Sequence, residues 1–140
     1  MLIYALQNMG EHMEYTKEEL NEMLQKKQMS SAMLEILLQA REEGIIDFKL
    51  IDIRELFEYT SSSIVGTDLL YPTSMVNKFV PSFQEMKEEN VVLYCRTGNR
   101  TGYIMSALEN MGLTNVVHLT DGIVAYRGET TPRAEIPNEL

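Results

Sequence analysis

From residue 46 onward, short continuous apolar runs alternate with stretches whose apolar residues recur at helical spacing. Phe48 to Ile53 is an apolar run that ends in Asp52-Ile53-Arg54, and Val91-Val92-Leu93-Tyr94 is a second. Asn115 to Leu119 is a third. Runs of this length with little polar alternation predict strands buried on both faces. Between them, Glu55 to Tyr59 predicts a short helix and Thr60 to Ser63 a loop. Tyr71-Pro72-Thr73-Ser74 ends a short strand and leads into a helical stretch around Met75 to Phe79. Pro81 or Ser82 then opens another helix, Phe83 to Glu89, which Asn90 closes. Ile104, Leu108 and Met111 mark one helical face, with Gly112 as its C-terminal cap. Asp121-Gly122 predicts a turn and Ile123 to Tyr126 a short helix. Strand–helix alternation of this kind predicts an α/β fold with a mostly parallel sheet.

The first 44 residues follow a different pattern. Leu2 to Leu6 suits a short strand or the start of a helix, and Asn8-Met9-Gly10 suits a turn. Thr16-x-x-Glu19 is a capping-box pattern ahead of Leu20, Met23 and Leu24, so a helix is expected from about Thr16 to Lys27. Ser30 or Ser31 caps a second helix with a broad apolar face through Met33, Leu34, Leu37 and Leu38, ending at Gly44. The chain therefore divides into an N-terminal helical extension (1–44) packed on the domain, an α/β core (45–128) and a C-terminal tail (129–140). With Pro132, Pro137 and three glutamates, the tail has the composition of a mobile segment. Six of the ten methionines lie within residues 1–33. Such residues usually fill gaps in a core, and the alternative is an adaptable docking surface.

Length and charge narrow the function. A chain of 140 residues is expected to form one domain able to bury a core. The formal net charge of −9 argues against nucleic acid, which needs a basic face. No apolar run approaches the length of a membrane span, and no signal peptide is read at the N-terminus. One cysteine permits no internal disulfide and fits a reducing, cytoplasmic setting. The two histidines, His12 and His118, stand in separate segments, and no metal site or cofactor is implied. His118 falls in an apolar strand and reads as structural.

That cysteine stands where chemistry is expected. The second of the apolar runs delivers Cys95 to a loop, Arg96-Thr97-Gly98-Asn99-Arg100-Thr101-Gly102, which opens the helix carrying Ile104. Backbone N–H groups at a helix start lack internal partners and sit at the positive end of the dipole, so they attract anions. Arg96 and Arg100 add full charge. Gly98 and Gly102 let the backbone curl. A thiol in that field ionises below its usual value of about 8.5, and the thiolate is the nucleophile. Asp52 and Arg54 end a neighbouring strand, where α/β sheets hold their ligands, and their expected role is to pair or cap the next turn.

These residues also resemble a known family. Tyr94-Cys95-Arg96-Thr97-Gly98-Asn99-Arg100 is similar to the active-site loop of rhodanese-like sulfurtransferases. Leu50-Ile51-Asp52-Ile53-Arg54-Glu55 resembles the family's Asp-x-Arg strand end. Val116 to Tyr126 resembles its last strand and glycine turn, with Asp121-Gly122 and Tyr126 where the family more often has two glycines and a tryptophan. Ser63-Ile64-Val65-Gly66-Thr67 stands where the family has His-Ile-Pro-Gly-Ala, without the His and Pro. The resemblance covers roughly residues 46–128 and implies a doubly wound, mostly parallel sheet with helices on both faces. It implies a single-domain sulfurtransferase in which Cys95 takes sulfane sulfur from a small anionic donor such as thiosulfate. A thiol or protein acceptor then removes it. By the same resemblance, Arg96, Thr97, Gly98, Asn99, Arg100 and Thr101 are expected to bind the substrate, with Asp52 and Arg54 as structural neighbours.

Two other readings stay open. A Cys-dependent phosphatase or arsenate reductase resembles this loop but carries five residues between Cys and Arg, where Cys95 and Arg100 leave four. A binding module or persulfide carrier would use residues 1–44 for docking. The sequence carries no sign of the oligomeric state.

Overall fold

The computed structural model describes residues 2–8 and 11–140, with the side chains of residues 7, 8, 11 and 12 outside that description. Met1 and the Met9-Gly10 pair of the expected first turn also lie outside it. The centre is a five-stranded sheet in the order β3-β8-β7-β4-β6, and every pairing in it is parallel. Its strands are β3 (Gln28–Met29), β4 (Lys49–Asp52), β6 (Leu69–Leu70), β7 (Val91–Tyr94) and β8 (Val116–Leu119). Chain order runs outward from β4 to β6, then returns to the other side of β4 and runs outward again through β7 and β8. Connections from β4 and β7 thus leave in opposite directions. The carboxyl ends of these two strands flank the crevice where such sheets place their sites.

Side-chain alternation along the strands divides the core in two. Leu50, Val92, Tyr94, Val117 and Leu119 pack with Leu20, Leu24, Leu34 and Leu37 from α1 (Lys17–Gln25) and α2 (Ser31–Glu42). Ile51, Ile53, Val91, Leu93, Cys95 and Val116 face the other way. They meet Phe79 and Phe83 from α4 (Val76–Glu85) and Met105 and Leu108 from α5 (Asn99–Asn110). Helices therefore cover both faces, as the near-continuous apolar strands require. The expected doubly wound α/β sheet is present.

The N-terminal 44 residues are less helical than their pattern suggests. The capping box forms as expected, with Thr16 Oγ1 accepting from Glu19 N at 3.1 Å and Glu19 Oε1 accepting from Thr16 N at 2.9 Å. Ser30 caps α2. Ahead of α1, however, β1 (Ile3–Asn8) and β2 (Glu11–Thr16) form an antiparallel hairpin. Between the helices, β3 joins the central sheet beside β8. These strands owe their form to backbone pairing, and the two residues of β3 are too few to signal it by periodicity. Of the methionines, Met29 is buried and Met23 and Met33 pack on the core, while Met13 is exposed.

Two further expectations change. The helical stretch around Met75 to Phe79 and the first residues of the helix expected over Phe83 to Glu89 are one helix, α4, which runs through Pro81 and ends at Glu85. Tyr71 stacks on Phe79 at 4.1 Å and meets Phe83 edge-on at 5.4 Å, so aromatic packing favours one continuous face over a break. The C-terminal segment is anchored rather than loose. Its β9 (Thr130–Thr131) pairs with β5 (Ser63–Ile64). The Asn138 side chain also satisfies both backbone groups of Leu70 on the edge strand β6, at 2.8 and 3.1 Å.

Candidate active site

The crevice is built from the carboxyl end of β7. Strand parity turns Cys95, like Leu93, toward the α5 face, where the residue is 1% exposed. The chain then turns through Arg96, Thr97 and Gly98 into the first turn of α5. Gly98 has φ of +99°, a conformation that favours glycine, and a Cβ there would strike the Thr120 carbonyl. The turn after β8 leans on the loop from that side. Ile123 N donates to Cys95 O at 2.9 Å and Val124 N to Arg96 O at 3.2 Å. A Cβ on Gly122 would meet the Arg96 carbonyl. The expected glycine turn thus packs against the cysteine loop and fixes its backbone.

Around the sulfur the donors converge. Gly98 N–H points at Cys95 Sγ from 3.2 Å, and the Thr101 hydroxyl lies 3.7 Å from it. Burial would push the thiol up. Hydrogen bonds from the backbone and side chain of Thr101 and from the backbone of Gly98 and Thr97 outweigh it, so the Cys95 pKa falls below its ordinary value. The site therefore favours a thiolate inside a ring of backbone N–H groups.

The remaining residues divide by position. Arg96, Thr97 and Asn99 are exposed at the mouth. Arg100 turns its guanidinium fork onto Glu58 of α3 (Leu56–Ser61), with paired contacts of 2.7 and 2.8 Å. Glu58 also accepts from Glu55 N at 3.0 Å. This bond joins the cysteine loop to the segment after β4, and no sequence pattern links residues 42 positions apart. Asp52 and Arg54 lie on the opposite side of the sheet from the sulfur. Asp52 is fully buried, accepts from Arg54 N at 2.8 Å and holds the Arg54 side chain at 2.8–3.1 Å. Arg54 also donates to Ser62 O at 2.6 Å and sits 5.6 Å over the Tyr94 ring. This cluster braces the strand that carries Cys95 and does not touch the sulfur. His118 has a contact that its apolar strand concealed: Nδ1 lies 2.6 Å from the Thr101 hydroxyl. Alternation along β8 puts His118 with Val116 on the α5 face, the one signal that pairs it with Cys95.

The Glu58–Arg100 pair sets a pH dependence. The Arg100 side chain, together with Glu55 N–H, lowers the Glu58 carboxyl from 4.5 to about 2 despite some burial. A depressed carboxylate stabilises the fold above its unfolded pKa and loses that contribution as pH falls through the folded one. Glu58→Gln should therefore be less stable than the parent near neutrality, with the gap closing between about 4.5 and about 2. Urea midpoints across that range check this, and a gap that does not change with pH would contradict it.

Comparison with known proteins decides the family. The family model for the rhodanese-like domain matches residues 16–129. The chain belongs to the rhodanese-like domain family. The match begins at the N-cap of α1, so α1, β3 and α2 fall inside the family domain. A probable adenylyltransferase/sulfurtransferase from Mycobacterium tuberculosis, MoeZ, is 34% identical over 83 residues. That stretch is 59% of this chain and 21% of MoeZ, so the chain spans about a fifth of that curated relative's length. The rhodanese-like domain of an Anabaena protein superposes with a TM-score of 0.63 at 21% identity, covering 76% of this chain and 80% of that one. A Rhodopseudomonas palustris protein of unknown function, described as a possible tyrosine phosphatase, gives 0.58 at 22%, covering 81% and 89%. At such identities the solved structures bear on the fold alone. No helix among the described residues is long and apolar enough to cross a membrane.

Proposed function

We propose that this rhodanese-like domain is a sulfurtransferase that works through a Cys95 persulfide. The Cys95 thiolate attacks the outer sulfur of an anionic donor such as thiosulfate. A bond forms between Sγ and that sulfur, the donor's own S–S bond breaks, and sulfite leaves with the electron pair. A thiol, a protein thiolate or cyanide then attacks the terminal sulfur and returns Cys95 as thiolate. Dividing one hard transfer into two easier ones is the gain from covalent catalysis.

The observation that carries this reading is the ring of N–H groups from Thr97, Gly98 and Thr101 around a cysteine of lowered pKa. Such a ring stabilises negative charge on sulfur before and after the transfer. Arg96, exposed at the mouth, draws the anionic donor in, Thr97 and Asn99 line the rim, and Arg100 holds the loop through Glu58. The reading carries a reducing, cytoplasmic setting with it, since the thiolate must stay free.

A Cys-dependent phosphatase is the second reading, and the Rhodopseudomonas palustris neighbour keeps it in view. Phosphoryl transfer calls for an arginine clamp on the transferring oxygens. Arg100 instead spends both arms of its fork on Glu58. Side-by-side turnover of thiosulfate with cyanide and of an aryl phosphate should show the first alone, and Cys95→Ser should abolish it. Aryl phosphate hydrolysis that depends on Cys95 would reverse the assignment.

A further inference from the structure

We propose that His118 is a positioning residue for Cys95: its Nδ1–H donates to Thr101 Oγ1 and thereby leaves the Thr101 proton to the sulfur. The proposal shares with the sulfurtransferase reading only the premise that Cys95 works as a thiolate.

The protons available at Thr101 decide which neighbour it serves. The Thr101 oxygen has three neighbours: Gly98 O at 3.0 Å, His118 Nδ1 at 2.6 Å and Cys95 Sγ at 3.7 Å. A hydroxyl brings one proton and two lone pairs to them. A carbonyl accepts only, and so does a thiolate, so Thr101 cannot serve both at once. Gly98 O already accepts from Gly102 N at 3.1 Å within α5. It loses little when the Thr101 proton turns to the sulfur. The decision then rests with the shortest contact. If Nδ1 accepted, it would capture the hydroxyl proton, and the thiolate would face oxygen lone pairs. If Nδ1 donates, Thr101 must direct its proton elsewhere, and the sulfur is the group that gains.

A neutral ring is able to make that donation. Burial holds the imidazole below its ordinary pKa, so it is neutral at neutral pH and carries one ring proton. In the sheet His118 stands between Gln28 of β3 and Leu93 of β7, neither of them titratable, and Thr101 meets it from α5. Arg100, also from α5, interacts with the sulfur by charge while its fork stays on Glu58. The Asp52–Arg54 pair lies on the other side of the sheet.

The test titrates Cys95 in the full chain by thiolate absorbance and by alkylation rate. Because the protein has one cysteine, the signal has one source. His118→Phe should lower the acid dissociation constant of Cys95 by about tenfold, the order expected for loss of a hydrogen bond to a charged group. His118→Asn, which offers an amide N–H close to the Nδ1 position, should stay near the parent. Thr101→Val should match His118→Phe, and the double variant should lose no more than Thr101→Val alone, because His118 acts through that hydroxyl. Thr101→Val is nearly isosteric and carries the test should His118→Phe fail to fold. An unchanged titration in Thr101→Val or His118→Phe would overturn the proposal. So would a higher thiolate fraction in His118→Phe, an equal loss in His118→Asn, or losses that multiply in the double variant. Sulfur uptake is read separately on the same proteins. A parent that ionises as described yet accepts no sulfur would end the sulfurtransferase reading and leave this one standing.

Discussion

Replacing Gly98 with alanine is expected to disable the site and weaken the fold together. At φ of +99° any side chain is strained, and here the added Cβ also meets the Thr120 carbonyl, a backbone atom that has no rotamer to escape into. The loop must move, and the Gly98 N–H that points at Cys95 Sγ from 3.2 Å moves with it. Loss of one donor of this type costs about 10²–10³ in rate. Strain alone should cost about 1–3 kcal/mol of stability. Gly112 provides the control. Its φ is +84°, but a Cβ there has open space around it. Gly112→Ala should show the strain penalty in urea unfolding and keep the alkylation rate of Cys95. Equal reactivity losses in the two variants would show that the loop responds to general destabilisation and not to the displaced donor.

The second large effect is expected at Arg54. Asp52 is fully buried, and the Arg54 guanidinium beside it is 6% exposed. Arg54→Met removes the cation and leaves the carboxylate, a change that costs about 3–5 kcal/mol when the pair is buried. Burial pushes the Asp52 carboxyl up, and hydrogen bonds and charge from Arg54 pull it back. Without Arg54, burial is opposed by the Tyr94 side-chain hydrogen bond but no longer by a cation, and the folded-state pKa rises further above the unfolded one. A raised carboxyl favours the fold below the unfolded pKa and loses that support as pH rises through the folded value. The deficit of Arg54→Met should therefore widen with pH. Asp52→Asn combined with Arg54→Met should recover part of it, because no unpaired charge remains. Denaturation midpoints of the two variants across pH check both statements. A deficit independent of pH, or a double variant worse than the single, would contradict them.

Both effects concern residues whose importance is legible in the sequence, though for different reasons. Gly98 stands in a loop that only a tight turn between strand and helix explains. Asp52-Ile53-Arg54 ends a run too apolar to bear two charges unless they meet. The strands β4, β7 and β8 are legible because burial on both faces leaves little but apolar residues in them, and the helices between keep their own period. Elsewhere pattern and structure part. Glu11 to Thr16 is polar at most positions and becomes a strand by pairing with Ile3 to Asn8. Gln28-Met29 is a strand only because β8 lies beside it. Pro81 reads as a boundary, yet Tyr71 gathers Phe79 and Phe83 onto one helix face. Pro132 and Pro137 suggest a loose end, yet Asn138 completes the edge of β6.

The site divides in the same way. The cysteine loop is local, so one stretch of sequence names its residues. Glu58 holds Arg100 and His118 meets Thr101 across distances in sequence that carry no periodic signal. What such contacts do is physical and specific. One ties the loop to α3, and the other orients the hydroxyl nearest the sulfur. Neither residue type announces that role, since a glutamate in a short helix and a histidine in a buried strand are most often structural.

That Cys95 takes up sulfur is read from the intact mass of the reduced protein. The protein is weighed before and after incubation with thiosulfate, beside Cys95→Ser. A gain of one sulfur atom in the parent, removed by cyanide or thiol and absent from the variant, is the expected result. An unchanged parent mass with thiosulfate and with other sulfane donors, while Cys95 still alkylates as a thiolate, would contradict it.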